Sequence, residues 1–194
     1  MEQTLRLFWA VSLPPAVREK LAAVQDLFRG LPLDVKWVEA ENLHITVRFL
    51  GETGAHLVEP LTAAVAERVS EAAPFTLRLG GIGVFPSVRK PRVLWVGIRS
   101  FEPLVALNRL VEEAVRSLGF PPESRPYSPH VTIGRFRTAA GARALERRIA
   151  AAGPQEVGEV FVEGLELLAS RLTPAGPVYT PLRRVFFGGV VGEP

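Results

Sequence analysis

The chain has 194 residues, 47% of them hydrophobic, and no cysteine, which is enough apolar material for one core and excludes disulfides, thiol nucleophiles and thiolate metal sites together. A net charge of +3 suits a phosphate-bearing partner without requiring one. The opening MEQTLRLFWAVSLPP has an acidic second residue and a short apolar run, too short for a secretory leader or a membrane span, so a cytoplasmic protein is expected.

Residues 4 to 12 alternate, with Leu5, Leu7, Trp9 and Val11 on one side, and read as a strand closed by Pro14 and Pro15. A helix follows, its stripe formed by Val17, Leu21, Val24 and Phe28, with Gly30 placed as a left-handed cap. Strands are expected at Val35–Val38 and His44–Leu50, then a helix over 57 to 72. Further strands fall at about 75 to 84 and 92 to 98. Phe101, Leu104, Leu107, Val111, Val115 and Leu118 mark one face of a third helix, which Gly119 stops. A proline-rich loop leads to a strand around His130. A short helix over 140 to 151 precedes strands near 158 to 169 and 178 to 187, whose pairing no Asn-Gly or Asp-Gly turn fixes. This order predicts one α+β unit spanning residues 1–194, with antiparallel sheet rather than a regular parallel wind.

Two of the three histidines stand in matching contexts, His44-Ile45-Thr46-Val47 and His130-Val131-Thr132-Ile133. Strand alternation places His44, Thr46 and Arg48 on one face, and His130 with Thr132 likewise, so each strand offers an imidazole and a hydroxyl about 7 Å apart. Facing each other, two such strands hold the parts for phosphodiester cleavage. One imidazole takes a proton from the attacking oxygen and the other gives one to the departing oxygen. Imidazole titrates near neutrality, and the threonine hydroxyls can donate to the non-bridging phosphate oxygens. His56 lacks this context and reads as a solvated residue near a helix start.

At these residues the chain resembles the 2H phosphoesterase superfamily, defined by two His-x-Thr motifs, and within it the bacterial and archaeal RNA 2',3'-cyclic phosphodiesterases, also called 2'-5' RNA ligases. The resembling segments are Arg6-Leu7-Phe8, Trp37-Val38, Glu41 through Gly51, Gly83 to Phe85 with Pro86, Pro91 through Gly97, Pro129 through Arg135, and Leu167 with Ser170, Gly176 and Tyr179. The resemblance implies a bilobal fold in which two similar lobes, each an antiparallel sheet backed by helices, enclose a central cleft. It also implies that His44 is the proton donor to the leaving 3' oxygen and that His130 is the acceptor that activates water, giving a 2'-phosphate end. Thr46, Thr132 and Arg135 would hold the phosphate. An ideal strand puts Arg135 opposite His130, so its role requires a bulge or twist after Gly134. Phe85, Trp95 and Tyr127 are the candidates to stack on a base, and Arg48 and Arg92 to contact backbone phosphates.

The expected partner is RNA or an oligonucleotide with a 2',3'-cyclic phosphate end, bound by a monomer that needs no membrane, metal or cofactor. Three other readings stay open. The site run backwards joins a cyclic end to a 5' hydroxyl; a non-catalytic RNA-binding module shares the fold; and a His-based metal enzyme is conceivable, although neither motif carries a second His or a carboxylate at ligand spacing.

Overall fold

The computed structural model describes residues 3–174 and 176–193. Met1 and Glu2, which begin the segment read as too short for a leader, lie outside them. The elements follow in the order β1 (Thr4–Ser12), α1 (Pro15–Arg29), β2 (Val35–Trp37), β3 (His44–Gly54), α2 (Val58–Arg68), β4 (Phe75–Ser87) and β5 (Lys90–Arg99). They continue with α3 (Glu102–Ser117), β6 (His130–Phe136), α4 (Ala142–Ala152), β7 (Glu156–Val162), β8 (Gly164–Thr173), β9 (Gly176–Phe186) and β10 (Val191–Gly192). No helix among the described residues is long and apolar enough to cross a membrane.

All the strands join one antiparallel sheet in the order β10-β9-β8-β1-β3-β6-β5-β4-β7, with β2 added to the edge of β6. The sequence is mirrored about its middle. β3 is followed outward by β1, β8 and β9, and β6 by β5, β4 and β7, which gives the two similar lobes of the expected α+β architecture. Helices cover one face and leave the other to the cleft. The helices also cross over: α1 packs against β6, β7 and α4 of the second lobe, whereas α3, with α2, packs against β3 of the first. Each half of the chain thus buries its apolar stripe on the other half.

The helical stripes hold as read: Val17, Leu21, Val24 and Phe28 are buried on α1, and Leu104, Leu107, Val111 and Val115 on α3. Gly119 has the left-handed conformation at φ 88°, but Gly30 does not (φ −82°), because α1 ends in a tight turn in which the Leu31 N–H donates to the Phe28 carbonyl. Helix α2 stops at Arg68, short of the expected end, although Val69 is still fully buried in the turn that follows. The apolar run near 158 to 169 is two strands rather than one. It breaks at Glu163, so that β7 edges the second lobe on β4 while β8 pairs with β1 and β9 in the first. Both halves of that run are buried and β-rich, so periodicity alone does not reveal the break.

Gln25 is a polar residue inside the apolar face of α1, only 2% exposed. Its amide donates to the carbonyls of Val38 and Ile133, each at 2.8 Å, tying the segment before the first motif to the strand of the second. Gln25→Leu keeps the volume and removes both donors. It should lower stability by about 2 kcal/mol, seen as a lower urea midpoint with an unchanged slope.

Candidate active site

Strands β3 and β6 touch through a single register pair, Ile45 with Val131. Both side chains are fully buried on the helix side, which turns the residues flanking them, His44 with Thr46 and His130 with Thr132, to the opposite face. All four line one cleft of about 570 Å³.

Each motif is followed by the same irregularity. Against β1, Ala10 pairs with Thr46 and Trp9 with Arg48, skipping Val47; against β5, Trp95 pairs with Thr132 and Leu94 with Gly134, skipping Ile133. Two consecutive residues are therefore buried, Val47 with Arg48 and Ile133 with Gly134, and the alternation resumes one residue late. The bulge returns the fifth residue after each histidine to the cleft, namely Phe49 and Arg135, and both line it. The condition that Arg135 needed is met. The same bulge corrects the placement of Arg48, which does not share the face of His44.

Arg48 is 5% exposed and points into the helix layer. Its guanidinium reaches Glu112 of α3 at 2.5 Å and Glu123 at 3.3 Å, and it donates to the carbonyls of Phe49 at 2.5 Å and Pro121 at 2.6 Å. All its donors face inward, so it is no phosphate contact. The Tyr127 hydroxyl donates to the Thr46 carbonyl at 2.9 Å, and burial pushes its phenol far above the usual range, with Glu123 adding to the shift. These bonds pin the loop before β6 to the back of β3. That loop ends at Ser128, whose carbonyl holds the second histidine.

The two imidazoles are held alike. His44 Nδ1 donates to the Asn42 carbonyl at 2.7 Å and His130 Nδ1 to the Ser128 carbonyl at 2.7 Å. A carbonyl only accepts, so each Nδ1 carries the hydrogen and each Nε2 is the nitrogen left for chemistry. The Nε2 of His44 lies 3.1 Å from Thr46 Oγ1. Asn42 is fixed in turn by its own bond to the Pro177 carbonyl at 3.0 Å. Both histidines titrate below 6.5, because burial disfavours the imidazolium by more than the carbonyl bond favours it, and the Arg135 guanidinium lowers both further. His130 also lowers His44.

Aromatic rings support both imidazoles. Phe8 and Tyr179 each lie about 5 Å from the His44 ring, the latter edge-on. Phe85 lies 5.1 Å from His130, with Trp95 behind it at 6.4 Å. The Trp95 ring covers Gly83, where any Cβ would come within 2.0 Å of it. Phe85 and Trp95 thus buttress His130 outside the cleft lining, and Tyr127 is tied to the backbone. Exposed Arg92 is likewise outside the lining. The rings that do line the cleft are Phe8, Trp37, Phe49 and Tyr179, joined by the cations Arg6, Lys36 and Arg135. Alternation in β1 opposes Arg6 and Phe8 to the Leu5-Leu7-Trp9-Val11 face, so those two were readable from the sequence; Phe49 was hidden by the bulge. His56 is exposed in the turn before α2, as expected. Among the described residues no group of three or more His, Cys, Asp or Glu side chains is arranged to hold a metal ion.

The 2'-5' RNA ligase superfamily is matched over residues 13–172. The chain is 35% identical over 178 residues to the RNA 2',3'-cyclic phosphodiesterase of Methanothermobacter thermautotrophicus, covering 92% of this chain and 96% of the relative. With the enzyme of the same name from Archaeoglobus fulgidus the identity is 37% over 182 residues, 92% of this chain and 98% of the other. A solved protein of Thermus thermophilus superposes with a TM-score of 0.79 at 31% identity, and E. coli LigT complexed with 3'-AMP with a TM-score of 0.79 at 27% identity. Each covers 95% of this chain and is itself covered over 99% of its length.

Replacing the guanidinium in Arg135→Gln removes a positive charge that disfavours both imidazolium forms. The titration midpoints of His44 and His130, followed by NMR of the ring carbons, should both move up in the variant. Unchanged midpoints would mean that Arg135 does not face the two rings.

Proposed function

The chain belongs to the 2'-5' RNA ligase superfamily, and from that premise we propose that it is an RNA 2',3'-cyclic phosphodiesterase working by acid-base catalysis between His44 and His130. The observation that carries the reading is the matched pair of imidazoles, each fixed through Nδ1 to the carbonyl two residues earlier and each turned into one cleft.

In this reading His130 Nε2, unprotonated, takes a proton from water as the water oxygen attacks phosphorus. The bond from phosphorus to the 3' oxygen breaks, and His44 Nε2, protonated, gives its proton to that oxygen. The product carries a 2'-phosphate and a free 3' hydroxyl. Thr46, Thr132 and Arg135 donate to the non-bridging oxygens, where charge is carried through the transition state. Proton exchange with solvent then restores the two rings. With a 5' hydroxyl in place of water as the nucleophile, the same groups acting in the same order join it to phosphorus, release the 3' hydroxyl and form a 2'-5' linkage. The site draws on both lobes and is complete within one chain, so we read residues 1–194 as one catalytic unit that acts as a monomer in the cytoplasm.

His44→Ala and His130→Ala should each lower turnover of a nucleoside 2',3'-cyclic phosphate by about 10²–10⁴-fold while leaving the thermal melt in place. Undiminished turnover in either variant would reduce the cleft to an RNA-binding surface.

The pH dependence follows from the directions of the two shifts. His130 must be neutral, so activity rises as pH climbs through its value below 6.5; His44 must be protonated, so activity falls as pH passes its own value below 6.5. The kcat/KM profile of the free enzyme should therefore be a bell centred on the acid side of 6.5. A flat profile from about pH 5 to 9 would exclude the mechanism.

A further inference from the structure

We infer that Arg6 forms a second phosphate site, which receives the phosphate on the 5' side of the nucleotide whose cyclic end is cleaved, so that the enzyme prefers 5'-phosphorylated or oligomeric substrates over a bare nucleoside 2',3'-cyclic phosphate. The inference rests on the phosphodiesterase reading of the cleft.

Arg6 and Arg135 are the two guanidiniums in the cleft lining. Some of the other arginines, among them Arg29, Arg78, Arg99, Arg137 and Arg183, meet carboxylates on the surface instead. Among the described residues neither Arg6 nor Arg135 has a carboxylate partner. Two unneutralised cations facing one cleft suit two anionic groups on one ligand.

Arg6 and Arg135 stand on β1 and β6, the strands on either side of β3. Arg135 belongs with the two histidines, whose titration it depresses. Arg6 instead lies over the Phe49 ring, its Cζ 5.0 Å from the ring centre, and Phe49 is three residues beyond Thr46, up to about 10 Å along the strand. Tyr179 projects into the same cleft. Both guanidiniums bear on its phenol, its ring meets His44 edge-on, and its backbone pairs with Ser170, which the register of Leu7 with Ala169 brings level with Arg6. Arg6, Ser170 and Tyr179 therefore form a polar row across the first lobe, to one side of the reacting phosphate. Stacking on Phe49 holds the guanidinium plane while leaving its edge donors directed to the ligand.

The test compares uridine 2',3'-cyclic phosphate with the same compound carrying a 5'-phosphate, in the unaltered chain and in Arg6→Gln. The unaltered chain should favour the 5'-phosphorylated compound by about tenfold in kcat/KM, the value of one charge-assisted contact, and the preference should shrink with added salt. In Arg6→Gln it should fall to within about twofold, with Arg6→Lys in between. Equal rates on the two compounds in the unaltered chain, or a preference that survives Arg6→Gln, would overturn the inference and leave the phosphodiesterase reading standing. Failure to hydrolyse either compound would overturn both.

Discussion

The buried pair Ile45 and Val131 is the constraint on which the site depends. It is the only register pair between the two motif strands among the described residues, and its apolar side chains have one acceptable direction, into the helix layer. A slip of one residue at this contact would send both histidines into the core and four apolar side chains into the cleft. The imidazoles are therefore aimed by hydrophobic burial. The polar bonds set the finer geometry: a carbonyl two residues back chooses the tautomer, and Gln25, Arg48 and Tyr127 hold the segments from which those carbonyls come. Because α1 and α3 each pack on the opposite lobe, the interior that supports one histidine is partly supplied by the half of the chain that carries the other.

The twin bulges show how one backbone device serves two chemistries. After each motif the fifth residue turns back to the cleft, and it is an apolar ring in the first lobe and a guanidinium in the second. The fourth residue is buried in both. In the second lobe it is Gly134, where a Cβ would meet Val35 at 2.8 Å because β2 runs alongside. In the first lobe no strand lies there, and Arg48 extends into the space to bind two carboxylates and two carbonyls. The backbone irregularity thus sends Arg48 into the helix layer and Arg135 into the cleft.

Much of this was readable in the residues. Period-two alternation gave the shared face of each histidine and threonine, and period-3.6 stripes gave α1 and α3, because those signals are local. What escaped was non-local. A bulge is defined by a partner strand, so the inward turn of Arg48 and the outward turn of Phe49 have no signature in the segment itself. The division of the run near residue 163 into β7 and β8 depends on which lobe each half joins. In the sequence Phe85, Trp95 and Tyr127 look no different from Phe49 or Tyr179, and only tertiary packing shows Trp95 laid over Gly83, Tyr127 bonded to the Thr46 carbonyl, and Phe49 and Tyr179 in the cleft lining.

The proposed mechanism carries a tension that the substrate itself would resolve. In that mechanism Arg135 attracts the phosphate, yet it also disfavours the imidazolium required of His44 as proton donor, and burial acts in the same direction. Without an anion in the cleft, burial and Arg135 both favour the neutral form of each ring. A phosphodiester would bring a negative charge into the cleft that Arg135 and the two histidines line. It offsets the guanidinium and favours protonation of the imidazole beside it. Binding is then linked to uptake of a proton by the same thermodynamic reciprocity that governs any coupled pair of sites. In the proposed mechanism the proton donor is thus armed by the group it acts on. That coupling would let two histidines held in nearly identical surroundings serve the opposite roles proposed for them, because the asymmetry enters with the substrate's leaving oxygen.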